Sequence, residues 1–434
     1  MQLYSTNSPD TFVSLKEAVM KGLPDDNGLF MPGHLPKLPK SFFRDITEKS
    51  FPELSYIIAR TLIGQEDIGD SELGDIISSA VNFPAPLVSL DDQRHILELF
   101  HGPSLAFKDF GARFMARTMS YFNRDEDREL TILVATSGDT GGAVAAGFLQ
   151  TPGIKVVILY PSGKVSHLQE KQLTTLRHNI TALEVDGTFD DCQALVKSAF
   201  LDRDLTSRHR LSSANSINIA RLIPQSFYYF EAYKQLTDKS RPFVFSVPSG
   251  NFGNLTAGLI ARNMGLPVHK FIAATNINDI VPRYLASGEY NPRPSKRTLS
   301  NAMDVGNPSN FARMLDMYCS TWNIMKEEIH GYGYDDFETK NEIKFIFDKY
   351  KYIIDPHGAV GSLALSEYLK ENPDHQGIIV ETAHPSKFIA TVEETIGQTV
   401  NIPERLSILA DRKKEAIEMT TRFSDFKAWL MRFE

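Results

Sequence analysis

The sequence predicts an α/β protein: two α/β halves with parallel-rich sheets, preceded by a small N-terminal region. Three observations predict it. From about residue 130, short β-branched runs alternate with helical patterns. The alternation resumes after a polar break at residues 237–242. The first ninety or so residues lack it and are punctuated by Gly28, Gly33, Pro84 and Pro86.

In order along the chain, residues 131–136 read as a strand, 142–149 as a helix, 155–160 and 181–185 as strands, and 192–200 as a helix. A long helix is expected around 219–236. Residues 243–247 then read as a strand, 255–263 as a helix, 270–274 and 377–381 as strands, and 387–396 as a closing helix. The expected units are 1–95, 96–236 and 237–434. Residues 291–297 form a polar loop that suits either a surface excursion or a mobile flap.

Composition narrows the class. Hydrophobic residues make up 42% and charged residues 23%, which is enough to bury a large core without disulfides or metals. The net charge of -8 argues against nucleic acid as a partner, because such proteins concentrate basic charge on one face. No apolar run is long enough to span a bilayer, so no membrane partner is expected. The N-terminus shows no basic start followed by an apolar run, and the two cysteines, Cys192 and Cys319, fit no metal or redox spacing. A reduced, cytoplasmic protein is expected. The eleven histidines show no HExxH or similar metal spacing, so no metal is expected; His357 and His384 lie in loops and suit a turn or a site equally.

Three strand–loop–helix junctions carry unusual loops: TSGDTGG at 136–142, SGNFGN at 249–254 and ETAHPS at 381–386. Ligands of parallel sheets bind outside the carboxyl ends of the strands. Helix N-termini there offer free N–H groups to anions, and glycines let a backbone approach a phosphate. Each loop alone is equally an ordinary capped turn; together they suggest two anionic groups in one cleft. Neither Gly-rich loop is a GxGxxG or a GxxxxGK[ST] fingerprint.

Lys108 sits between Phe107 and Phe110 where a helix begins, just after His101-Gly102-Pro103-Ser104. Apolar surroundings and a helix N-terminus both disfavour an ammonium, and only a neutral amine attacks an aldehyde. A surface lysine snorkelling past two phenylalanines is the commoner reading of such a segment taken alone.

Taken together, LELFHGPSLAFKDFG (97–111), ATSGDTG (135–141), SANSINIAR (213–221), VPSGNFGN (247–254), LSNAMD (299–304) and TAHP (382–385), with GLFMP (28–32) and FPAP (83–86), resemble the threonine synthase family in its long bacterial and fungal form. The matches run in family order across most of the chain.

The resemblance implies a fold type II, tryptophan synthase β-like enzyme that uses pyridoxal 5′-phosphate (PLP). It implies that Lys108 carries the cofactor and shuttles protons. Gly250, Asn251, Phe252, Gly253 and Asn254 would cradle its phosphate with backbone N–H groups and side-chain amides, and Thr382 would bond its pyridine nitrogen. Asp139 would face its 3′-oxygen, where many relatives carry asparagine; two anionic oxygens would repel, so a shared proton or another orientation is needed.

The loop of Thr136, Ser137, Gly138, Thr140 and Gly141 would bind the substrate carboxylate, with Ser104 beside it. Arg221, with Asn215, Ser216 and Asn218, is the first choice for the substrate phosphate, because arginine's planar fork donates two bonds at once; Arg113 is the second. Either arginine suits a structural ion pair as well. The implied reaction is a carbon–oxygen lyase step in threonine biosynthesis, from O-phospho-L-homoserine and water to L-threonine and phosphate. The alternatives are a related phospho-lyase giving 2-oxobutyrate and a silent PLP-binding protein. A monomer is implied, with a dimer as the alternative.

Overall fold

A computed structural model describes residues 1–433, and its regular elements divide among three sheets. The small one is antiparallel, with strands Ser8–Ser14, Gln2–Ser5 and Phe30–Pro32 in that spatial order. The five-stranded sheet runs Ile417–Met419, Ile180–Val185, Ile154–Pro161, Leu130–Ala135 and Arg210–Ser213, all parallel. The six-stranded sheet runs Ile329–Tyr334, Lys270–Asn276, Phe243–Pro248, Gln376–Glu381, Arg94–Glu98 and Leu87–Ser89. Only Leu87–Ser89 is antiparallel there.

The central strands are predominantly apolar because both faces are covered. Every residue of Leu130–Ala135, Phe243–Pro248 and Gln376–Glu381 is buried. The N-terminal region packs its amphipathic helices Phe51–Leu62 and Asp70–Ala80 onto this body. Leu54, Ile58, Leu73 and Ile77 share one core with Phe110 and Phe114 of the helix Lys108–Asn123. No described helix is long and apolar enough to cross a membrane.

The expected long helix at 219–236 is broken. Pro224 has no N–H to donate, and the chain passes from Ile219–Leu222 through a 3₁₀ turn, Ile223–Ser226, into Phe227–Gln235. The closing helix likewise starts as a 3₁₀ turn, Pro385–Phe388, before Ile389–Ile396.

The linear units are crossed by the sheets. Arg94–Glu98 straddles the 95/96 boundary and pairs with Gln376–Glu381, while Ile417–Met419 returns to pair with Ile180–Val185 in the other sheet. Strand partners are chosen by buried area and register, not by nearness in the chain. The 291–297 loop is tied down: Arg293 donates to the Ile277 carbonyl at 2.8 Å and pairs with Asp279.

Candidate functional site

Parallel pairing brings the carboxyl ends of the strands to one edge of each sheet. Ser246 is level with Ile379, and Ile379 with Ile96. The segments after Pro248, Glu381 and Glu98 therefore leave the six-stranded sheet side by side. Leu133 is level with Ser213, so residues 136–141 and 214–221 leave the other sheet together. The two sets meet across a cleft, where the Asn251 amide donates to Ser216 Oγ at 2.6 Å and Lys108 Nζ lies 3.8 Å from Asp139.

On the six-stranded side, the N–H groups of Ser249 and Leu255 are bonded within the protein, to the Ala274 carbonyl and Asn254 Oδ1. Those of Gly250, Asn251, Phe252, Gly253 and Asn254 between them donate to no protein acceptor among the described residues. Five consecutive free donors at the start of the helix Gly253–Asn263 make a cradle that suits an anion. Phe252 holds a left-handed backbone, φ 59°, to turn them inward.

Asn254 departs from expectation. Its amide donates to the Pro248 carbonyl and accepts from Ser249 Oγ, so the side chain braces the loop and only its N–H is free. Gly250 has no room for a side chain: a Cβ would stand 2.5 Å from the Ala302 carbonyl oxygen and 2.8 Å from Met303 Cα. Gly250→Ala is therefore expected to cost about 1–3 kcal/mol of stability, measured by urea unfolding, because backbone atoms cannot yield as side chains do. Unchanged unfolding would show that the cradle's backing is softer than drawn.

Lys108 is the first residue of its helix. The preceding Phe107 N–H donates to the Thr382 carbonyl at 2.9 Å, and Ala106 bridges Ala383. Lys108 is thus fastened beside Thr382, whose hydroxyl has no hydrogen-bond partner among the described residues. The Lys108 side chain is 17% exposed. Burial lowers its pKa to about 8; Asp139 opposes the shift, while Lys387 and Arg221 add to it.

Asp139 forms an ion pair with Lys387 and also faces Lys108. Lys387 Nζ is 2.5 Å from its Oδ1, and Gln169 donates to the same oxygen at 3.0 Å. Burial alone would raise its pKa, but Lys387 and Lys108 outweigh it and hold the carboxyl below the usual range. Lys387 is almost wholly buried and also donates to the Ser104 carbonyl at 3.0 Å.

Lys387, Gln169 and Gln172 (which also donates to the Ser104 carbonyl) were not expected from sequence. Lys387 carried a signal: it directly follows the third unusual junction, three residues beyond His384. Asp109 was also missed. Burial raises its pKa to about 6, although it accepts the Ser104 N–H at 2.8 Å.

In the first Gly-rich loop, Thr136 Oγ accepts the N–H groups of Gly138 and Gly141, at 3.0 and 2.8 Å. It buckles the loop. The N–H groups of Ser137, Asp139 and Thr140 are left without a protein acceptor among the described residues. Ser137 is exposed and Thr140 half-buried, so donors are open to the cleft. Ser104 lies beneath, its hydroxyl buried and unpartnered.

Arg221 is buried and forms no ion pair among the described residues. Its Nη1 donates to the Ala214 carbonyl at 2.6 Å, and its Nε is unpartnered. Gly111 admits it: a Cβ there would stand 2.8 Å from Arg221 Nε. Asn215 and Ser216 are half-buried at the same edge.

Two expected residues are corrected. Asn218 is fully committed, accepting the Ala220 N–H as helix cap and donating to the Val19 carbonyl. Arg113 turns away from the cleft and donates to the Ser79 and Ala80 carbonyls and to Asn82. Five residues beyond Lys108 it lies roughly 140° around the helix, on another face.

Residues 83–382 match the family model described as pyridoxal-phosphate dependent enzyme. Residues 2–81 match that of the threonine synthase N terminus, and 358–429 that of the threonine synthase C-terminal region. Threonine synthase of Escherichia coli strain K12 is 46% identical over 412 residues, 95% of each chain. The crystal structure of threonine synthase from Escherichia coli aligns over 100% of both chains with a TM-score of 0.93 and 43% identity. That of PLP-bound threonine synthase from Brucella melitensis aligns over 99% of both, with a TM-score of 0.94 and 33% identity. With a cleft whose free N–H groups, buried amine and unpartnered hydroxyl suit that cofactor, the chain belongs to the threonine synthase family of PLP-dependent enzymes.

Proposed function

We propose that this protein converts O-phospho-L-homoserine and water to L-threonine and phosphate, the last step of threonine biosynthesis. The observation that carries the proposal is the joining of two separate anion sites in one cleft: the free N–H cradle at 250–254 and the unpaired Arg221 across from it. A substrate with its own phosphate, handled by a phosphate-bearing cofactor, needs both.

PLP, when bound, supplies a sink for the electrons released as the substrate Cα–H bond breaks. The 250–254 cradle would hold its phosphate, Thr382 would bond its ring nitrogen through the hydroxyl, and Lys108 would hold it covalently. The N–H groups of Ser137, Asp139 and Thr140 bind the substrate carboxylate and orient Cα towards Lys108. Lys108 takes the Cα proton and then a Cβ proton as phosphate leaves from Cγ; a proton returned to Cγ makes the methyl group, water adds its hydroxyl at Cβ and gives its other proton to the phosphate, and a proton returned to Cα completes threonine. Arg221, with Ser216 and Asn215, holds the phosphate before and after it leaves. Ser104 lines the carboxylate end.

The other pieces of the reading are a monomer and the cytoplasm. They are supported by large apolar side chains that are exposed mostly singly and by two unpaired cysteines. Incubation of the purified protein with O-phospho-L-homoserine is expected to give threonine and phosphate in equal amounts. A product that is mostly 2-oxobutyrate would replace the synthase reading with the lyase one.

A further inference from the structure

Two lysines share one buried carboxylate in this cleft. Asp139 Oδ1 is 2.5 Å from Lys387 Nζ, and its Oδ2 is 3.8 Å from Lys108 Nζ. The three side chains come from three elements: the helix Asp139–Phe148, the turn Pro385–Phe388 and the helix Lys108–Asn123. Lys387 has three N–H donors. Asp139 and the Ser104 carbonyl take two, and the third has no protein acceptor among the described residues.

We propose that Lys387 is a second lysine of the active centre, a positioning residue that acts through Asp139: it supplies the charge that lets Asp139 stand as a carboxylate beside Lys108, and the pair together sets the protonation of the Lys108–cofactor link. The inference rests on Lys108 being the cofactor lysine. It answers the difficulty raised by aspartate in place of asparagine. A lone carboxylate would repel the cofactor's 3′-oxygen; a carboxylate neutralised by Lys387, whose third N–H is free, does not.

The other charged groups facing this set are Arg221, which acts on Lys108, and Asp109, which feels Lys387. Neither forms an ion pair with Asp139 among the described residues, so Lys387 is the partner that balances it. A merely structural lysine at this position would change stability and leave the titration of the cofactor link where it was.

The test is a pH titration of the cofactor's absorbance band in purified holoenzyme. Lys387→Met leaves Asp139 uncompensated, favours the protonated link and is expected to raise the midpoint by about one pH unit, a tenfold gain in proton affinity. Asp139→Asn removes the anion and is expected to lower the midpoint. In the Asp139→Asn background, Lys387→Met is expected to move the midpoint less, because only the direct charge of Lys387 on Lys108 remains. Lys387→Arg keeps the charge and is expected to keep the midpoint.

A midpoint unmoved by Lys387→Met, or moved equally in both backgrounds, overturns the proposal. If Lys387→Met yields no folded holoenzyme, Asp139→Asn and Lys387→Arg decide: an unmoved midpoint in the first or a shifted one in the second overturns it. Lys108→Ala separates the two levels. If it retains the covalent band, the cofactor-lysine reading falls; if it loses the band and the Lys387 variants do not shift it, only the Lys387 proposal falls.

Discussion

Lys108→Ala is expected to lose the covalent cofactor band and to lower turnover by at least about 10²–10⁴-fold, the span that a positioned acid–base group contributes. The band and borohydride trapping measure the first effect, and the product assay the second. The size follows from two jobs on one nitrogen: holding the cofactor and moving protons at Cα and Cβ. No other lysine replaces it, since Lys387 is held by Asp139 and the Ser104 carbonyl.

The pH dependence of cofactor uptake carries the sign. Only the neutral amine reacts, and burial brings the Lys108 pKa down to about 8. Uptake by apoenzyme should therefore rise with pH and level off above about 8. An ordinary lysine would keep rising towards about 10.4. A rate still climbing at that pH would place Lys108 in a wetter site than the one described.

Arg221→Ala is expected to reduce kcat/KM for O-phospho-L-homoserine by about 2–4 kcal/mol, roughly 30- to 700-fold, the cost of truncating one partner of a desolvated charge pair. Burial lowers the guanidinium pKa only to about 10, so it stays charged at neutral pH, and among the described residues no carboxylate pairs with it. An unpaired buried cation is unfavourable unless an anion comes to it, which is why the loss should appear in substrate handling. Arg221→Lys should recover part of the loss, since the charge returns without the fork. Inorganic phosphate is expected to protect the wild-type protein against thermal unfolding through this site and to give the alanine variant no such protection. Wild-type kcat/KM in Arg221→Ala would refute the assignment.

Much of the fold was legible because periodicity reports burial. Runs such as 131–136 and 243–247 are mostly apolar, with only Thr131, Thr136 and Ser246 polar, and in a parallel sheet they lie between two covered faces. The strand Arg94–Glu98 was harder: its Arg, His and Glu interrupt the pattern, although its three central residues are buried. The long helix at 219–236 was misjudged because the aromatic run masked Pro224, which breaks it.

By itself the sequence determined the class of the fold, the glycine loops at the strand ends and the lysine placed at a helix start. These are local properties, written in residue types that tolerate few backbone shapes. Tertiary structure alone decided which polar side chains face the cleft. Arg221 and Arg113 are the first and second candidates along the chain, yet Arg113 is spent on carbonyls of the N-terminal region and Arg221 has no ion-pair partner among the described residues. Asn218 and Asn254 look like ligands and are braces. Lys387, 279 residues after Lys108, pairs with the carboxylate that Lys108 faces. Such partners are set by the three-dimensional competition of each polar group for hydrogen bonds and charge, which linear spacing does not encode.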